Sequence, residues 1–278
     1  MEEHISWTTR VVNYLFGPIV GKVLNQFHID PQSQVLPIPQ HVATGIVVLV
    51  ILTIIALILR SRLSVERPGA LQQLAEGLLT NSQSFGIKDL LVENTGHQGV
   101  QYVPFVGAIS VFILLSNLLG AFPNTLVSAP TGHATVPLAC AILTFLYFNY
   151  QGFRHHGFLG YLKTFAGNPH GIGGWALAIL LFPVEIISTT ARLLSLTVRL
   201  WANMFASDLI YVIFLGLLSG GTAALWSKSV IGGALVGVFA ALVPVMFIAL
   251  HIFVSVVQAY VFTVLPSVYL GLATSDEH

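Results

Sequence analysis

Glu185, Arg192, Arg199 and Asp208 all fall inside one apolar stretch, Trp175 to Leu218. An ionised side chain at the centre of a bilayer costs about 2.5–3.5 kcal/mol even on lenient insertion scales. Such a residue therefore reads first as functional, with a partner to be found. At 100° per residue, Glu185, Arg192 and Arg199 recur every seven positions and share one helix face within about 40°, with Asn203 four residues on beside them. Asp208, nine residues after Arg199, points about 180° away. A second apolar stretch, Val230 to Leu272, carries His251, Ser255 and Gln258 at i, i+4 and i+7, again on one face. These groups can pass or orient protons without holding a charge. A fixed cation, two carboxylates and a hydrogen-bonding stripe at membrane depth point to ion movement.

Three readings of the charges compete. Arg199 could pair within its own chain to fasten two helices. Glu185 and Asp208 could be satisfied helix–helix contacts, and Arg192 could snorkel or pair with Glu185 or Ser188. If the two long stretches form an antiparallel hairpin turning near Thr222, Asp208 is expected near His251 and Arg199 near Gln258.

The elements that position these residues follow from composition. The 278 residues are 55% hydrophobic and 8% charged, with a mean hydropathy of +0.83; a soluble domain carries about 25% charged residues. Eleven basic residues balance eleven acidic ones, so there is no cationic footprint for nucleic acid. The lone Cys140 excludes a disulfide framework, and neither a metal-ligand spacing nor a cofactor motif is present. What remains is an all-α membrane protein.

Charge gaps locate its helices. No Asp, Glu, Lys or Arg occurs from Pro31 to Leu59, from Asn94 to Phe153 or from Ser229 to Ser275. A span needs about 20 apolar residues. The gaps predict spans at Val42 to Leu59, Tyr102–Phe122, Ala134–Tyr150 and Val230 to Leu272, and the Trp175 to Leu218 stretch makes five. Pro123-Asn124 and Pro130-Thr131-Gly132 supply the turn between the second and third. The last two stretches, at about 66 and 64 Å, are roughly twice the hydrocarbon thickness and must tilt steeply or kink as a long hairpin. Pro68 to Leu91 repeats Leu71, Leu74 and Leu78 at helical spacing and reads as an amphipathic helix on the cytoplasmic membrane surface. Gly152 to Gly174 reads as an irregular loop.

Arg60, Arg62, Arg67 and Lys88 follow the first span, and Arg154 and Lys163 the third. The other loops hold only Lys228, with Arg10 and Lys22 in the N-terminal arm. The positive-inside rule then predicts an outside N-terminus and a cytoplasmic C-terminus. No cleaved signal peptide is expected. Residues 1–40 read as an arm at the outer face, and 41–278 as a single membrane-embedded domain.

At these residues the chain resembles a known family. The run Ser195-Leu-Thr-Val-Arg199-Leu-Trp-Ala-Asn203-Met-Phe-Ala, then His251 and Gln258-Ala-Tyr-Val-Phe, is similar to subunit a of the bacterial F-type ATP synthase. Glu185 with Ser188, Asn117-Leu118-Leu119-Gly120 with Pro123, and the terminal Ser275-Asp276-Glu277-His278 match further family elements. Two departures stand out: Leu193 follows Arg192 where the family usually has Pro, and Asp208 replaces the Glu of many members.

The resemblance implies a non-catalytic, ion-translocating subunit of the bacterial inner membrane. Arg199 would face a rotating ring of subunit c, with Gln258 and Asn203 beside it. Glu185, Asp208 and His251, with Ser188 and Ser255, would line two aqueous half-channels. Expected partners are the c ring, the subunit b peripheral stalk and other synthase subunits, with a proton or sodium ion as cargo and no cofactor. Two other classes compete. A self-contained secondary transporter would need an inverted repeat and broken helices, which the sequence does not display. A structural scaffold would need Arg199 only for assembly.

Overall fold

The computed structural model describes residues 6–27, 36–80, 86–121, 129–167, 171–226 and 230–274. Among them there is no strand. Eight α-helices follow in order: α1 (Trp7–Gln26), α2 (Gln40–Ser61), α3 (Ala70–Thr80), α4 (Ile87–Thr95), α5 (Val103–Leu119), α6 (Thr135–Phe165), α7 (Gly171–Trp226) and α8 (Val230–Thr274), with 3₁₀ turns at Gly96–Tyr102 and Pro130–Gly132. Five segments are long and apolar enough to cross a bilayer: Gln40–Ser61, Ile87–Leu119, Thr135–Phe165, Leu177–Phe214 and Val245–Thr274. The protein is an all-α, multi-pass membrane protein. The predicted Pro123-Asn124 turn, Pro31, Lys228 and the Ser275–His278 terminus lie outside the described residues.

Backbone contacts divide the chain into two compact units. One holds Met1–Val50, Leu114–Val136 and Leu200–Gln258, and the other Ile51–Ile113, Pro137–Arg199 and Ala259–His278. The boundary therefore falls within α2, α5, α6, α7 and α8.

In the first unit, α1 is fastened to the start of α2 by polar groups. Asn13 Nδ2 donates to the Ile38 carbonyl and Ile38 N–H donates to Asn13 Oδ1, both at 3.0 Å. The Thr8 and Thr44 hydroxyls meet at 3.3 Å. Val12, Ile38 and Ala43 form the small core beneath. Gly45 of α2 lets the Pro130–Gly132 turn lie close, with Pro130 Cβ 3.8 Å from where a Cβ on Gly45 would sit.

In the second unit, Ile87, Leu91, Tyr102, Val106, Phe148, Tyr161, Leu270 and Ala273 form the core. Hydrogen bonds join its helices, as they do where lipid offers no polar alternative: Asn94 Nδ2 donates to Ser267 Oγ at 3.1 Å, and the Ser110 and Thr263 hydroxyls meet at 2.8 Å. Gly271 is required there, because a Cβ would collide with the Asn94 carbonyl.

Three expectations need correction. The irregular loop from 152 to 174 is largely helical: α6 continues to Phe165 and α7 begins at Gly171. Gly157, at φ 73°, breaks α6. The segment beyond it returns, so that the Tyr161 hydroxyl donates to Asn149 Oδ1 at 3.1 Å and its ring fills the place of a Gly152 Cβ. Glycine marked a reversal between helices, which composition alone reads as loop. Second, the amphipathic helix expected across Pro68 to Leu91 is two elements. α3 keeps exposed Leu71, Leu74 and Leu78, while Ile87, Leu90 and Leu91 of α4 are buried. Third, the hairpin does not turn near Thr222. α7 runs on to Trp226, because small and apolar residues continue the helix that the charge count had ended at Leu218.

Candidate functional site

α7 is the least covered of the spanning helices: 11% of its most apolar window is buried, against 22–39% in the other four. Leu194, Val198 and Phe205 are exposed on it. So is Arg199, in the middle of the segment. Its charge reaches the Tyr269 ring of α8, yet no carboxylate among the described residues forms a salt bridge with it. The chain thus sets a permanently charged guanidinium on an outward, otherwise apolar surface.

Arg192, one heptad earlier, is partnered. Arg192 Nη2 lies 3.4 Å from Glu185 Oε1, and its guanidinium stands 5.4 Å over the Tyr269 ring. Thr189 Oγ1 donates to the Glu185 carbonyl at 2.8 Å. Of the sequence readings of Arg192, pairing with Glu185 is the one observed, and Ser188 is half-buried alongside. Glu185, Thr189, Arg192, Tyr161 and Tyr269 line a cavity of about 450 Å³ with Phe165 and other apolar residues.

In the other unit, His251 is buried and bonded at both ring nitrogens. Nε2 lies 3.0 Å from the Asn117 carbonyl and Nδ1 2.7 Å from Ser207 Oγ. A carbonyl only accepts, so Nε2 carries a hydrogen, and a neutral ring then accepts from the Ser207 hydroxyl through Nδ1. Rotation of that hydroxyl leaves Nδ1 free to take a proton. Gly120 permits this arrangement, since a Cβ there would lie 2.8 Å from Nε2. Ser255 Oγ donates to the His251 carbonyl at 2.8 Å.

Asp208 lies within electrostatic reach of His251, as expected, but the direct partner of the imidazole is the neighbouring Ser207. Asp208 Oδ2 also approaches the Pro130–Gly132 turn, 3.4 Å from the position of a Cβ on Gly132. Buried polar atoms gather in this unit. Ser116 Oγ, Asn117 Nδ2 and Oδ1, Thr131 Oγ1 and Gln258 Oε1 have no hydrogen-bond partner among the described residues. Unsatisfied buried groups of this density are normally met by water. Asn203 is half-buried, and it and Gln258 belong to this unit while Arg199 belongs to the other.

Sequence reasoning missed Ser207, Ser116 and Thr131 as members of the set, and Tyr269 as the ring under Arg192. Serine and threonine are common in membrane helices, so only packing distinguishes these. Gly120 was the legible clue.

Comparison with known proteins identifies the family. The family model described as ATP synthase A chain matches residues 42–271. The chain is 36% identical over 276 residues to ATP synthase subunit a of Koribacter versatilis, covering 99% of each chain. It is 37% identical over 245 residues to that of Solibacter usitatus, covering 87% of this chain and 90% of the relative. It is 34% identical over 213 residues to that of Aquifex aeolicus, covering 76% and 87%. With the family model matching most of its length and a relative 36% identical over 276 residues, the chain belongs to the ATP synthase A chain family.

Proposed function

We propose that the chain is the stator subunit of a rotary ATP synthase, conducting protons through two aqueous half-channels against a ring of subunit c. The observation that carries this reading is Arg199, exposed at membrane depth with no carboxylate among the described residues in a salt bridge with it. A charge left so must find its counter-charge on another chain. A ring subunit with a carboxylic acid at mid-membrane fits: neutral, the acid can face lipid, but ionised it cannot, because desolvation penalises the anion. Arg199 stabilises the anion and makes it release its proton. A guanidinium holds its proton permanently, so it carries none across. Gln258, whose Oε1 has no partner among the described residues, and Asn203 are assigned to the same ion translocation.

Each unit supplies one half-channel. The polar set of Asp208, Ser207, His251, Ser255 and Asn117 is the access path on the outer side. The cavity at Glu185 and Arg192, with Ser188, is the cytoplasmic one. Ions then cross only as the ring turns, and each elementary charge moved through 100 mV supplies about 2.3 kcal/mol. The chain performs no bond chemistry itself. The N-terminal arm with α1 lies outside, while α3 lies on the cytoplasmic surface of the inner membrane.

The test is ATP-driven proton pumping in inverted vesicles. Arg199→Ala abolishes pumping while the complex still assembles; pumping at wild-type rate overturns the reading.

A further inference from the structure

We propose that His41 and His133 form a proton-collecting pair at the outer mouth, feeding Asp208 through the Pro130–Gly132 turn. This rests on the half-channel reading above and extends it to two residues that reading does not use. Their rings stack at 4.2 Å between centroids and 22° between planes. His41 is half-buried at the start of α2, and His133 is exposed just after the turn. One ring therefore meets bulk water and the other lies behind it.

The turn connects them inward. Pro130 packs over Gly45, one helical turn after His41, and Gly132 packs against the Asp208 carboxylate. Between them Thr131 is fully buried, with its hydroxyl unpartnered among the described residues, a place that a water molecule would satisfy. Beyond Asp208 come His251, Ser207 and the amide of Asn117, which has no partner among the described residues. All these residues belong to one unit. The titratable groups around the pair are the two rings themselves and, beyond the turn, Asp208 of α7 and His251 of α8. On α1, which packs on α2 through Thr8 and Thr44, Arg10 is exposed.

The transfer balances simply. A hydronium ion gives its proton to the exposed ring of His133, leaving water. The imidazolium passes its proton in the ring plane to water, including water at Thr131, and the Asp208 carboxylate takes it up as the pair returns to neutral. Two imidazoles this close repel as a doubly charged pair, so the pair holds one extra proton and hands it on before accepting another. A neutral imidazole is a good collector near neutral pH, where hydronium is scarce.

The experiment separates proton collection from ring stacking. The intact synthase is reconstituted in liposomes, and ATP synthesis driven by a fixed membrane potential is followed while the pH on the outer side of subunit a is varied. His41→Phe with His133→Phe keeps two stacked rings that cannot titrate, and its half-maximal rate moves about one unit toward acid. His133→Glu restores a titratable group and stays within a few tenths of a unit of wild type. A phenylalanine profile that superimposes on wild type overturns the proposal, as does an equal loss for the Phe and Glu variants at every pH. Arg199→Ala in the same liposomes reports on the parent reading separately: it is silent at all pH values, and activity there refutes the stator role whatever the histidine variants do.

Discussion

Replacing Gly120 by alanine adds one methyl group against an imidazole bonded at both ring nitrogens. The new Cβ would stand 2.8 Å from His251 Nε2, 3.0 Å from Cε1 and 3.1 Å from the Ala129 Cβ. All three are too close for non-bonded atoms, and the ring is held at its other nitrogen by Ser207 at 2.7 Å. Recovering ordinary contact requires the ring to withdraw by about half an ångström or more. That takes the 3.0 Å bond to the Asn117 carbonyl to the edge of hydrogen bonding, at about 3.5 Å. A buried polar group left unsatisfied costs about 1–3 kcal/mol. At 1.36 kcal/mol per factor of ten, proton transport through this path falls roughly 5- to 150-fold if the step at His251 limits. The assay is ATP-driven acidification of inverted vesicles, normalised to assembled complex. Wild-type pumping by Gly120→Ala refutes the account of how His251 is held. Loss of the assembled complex, with no slowing in what remains, refutes its role in transport.

Three further outcomes follow. Asp208→Ala and His251→Ala slow transport more at alkaline than at acidic pH on the uptake side, because proton delivery then limits; a loss of equal size at all pH values assigns them a structural role. Arg192→Leu reduces pumping severalfold, and adding Glu185→Gln reduces it little more, since the carboxylate has already lost its partner at 3.4 Å. Additive losses in that double-mutant cycle would show the two act independently. Gly271→Ala prevents assembly, because its methyl group meets the Asn94 backbone; normal levels of complex would contradict that packing.

The bilayer made most of the fold legible. Lipid tolerates so few charges that their gaps drew four of the five spans directly, and Arg199 and Asp208 were conspicuous in the remaining one for the same reason. Glycine was harder to read. Gly157 and Gly152 allow a helix to reverse and lie against itself, yet in a list of residues they look like loop. The amphipathic repeat at Leu71, Leu74 and Leu78 was a true helix, but periodicity alone carried it on into α4, whose leucines are buried in the core. Ser207 could not be singled out from Asp208, because one residue of rotation on α7 decides which side chain meets His251.

The most direct test of the central claim is disulfide cross-linking from the Arg199 face of α7 in the assembled complex. Ser195 and Ala206 are exposed on that helix and lie within about 40° of Arg199, so Ser195→Cys and Ala206→Cys place thiols on either side of it. Both are expected to cross-link to cysteines set beside the membrane carboxylate of the ring subunit, and the cross-link to stop rotation. Failure of both to reach the ring, with Arg199 instead found in an ion pair within its own chain, would contradict the account.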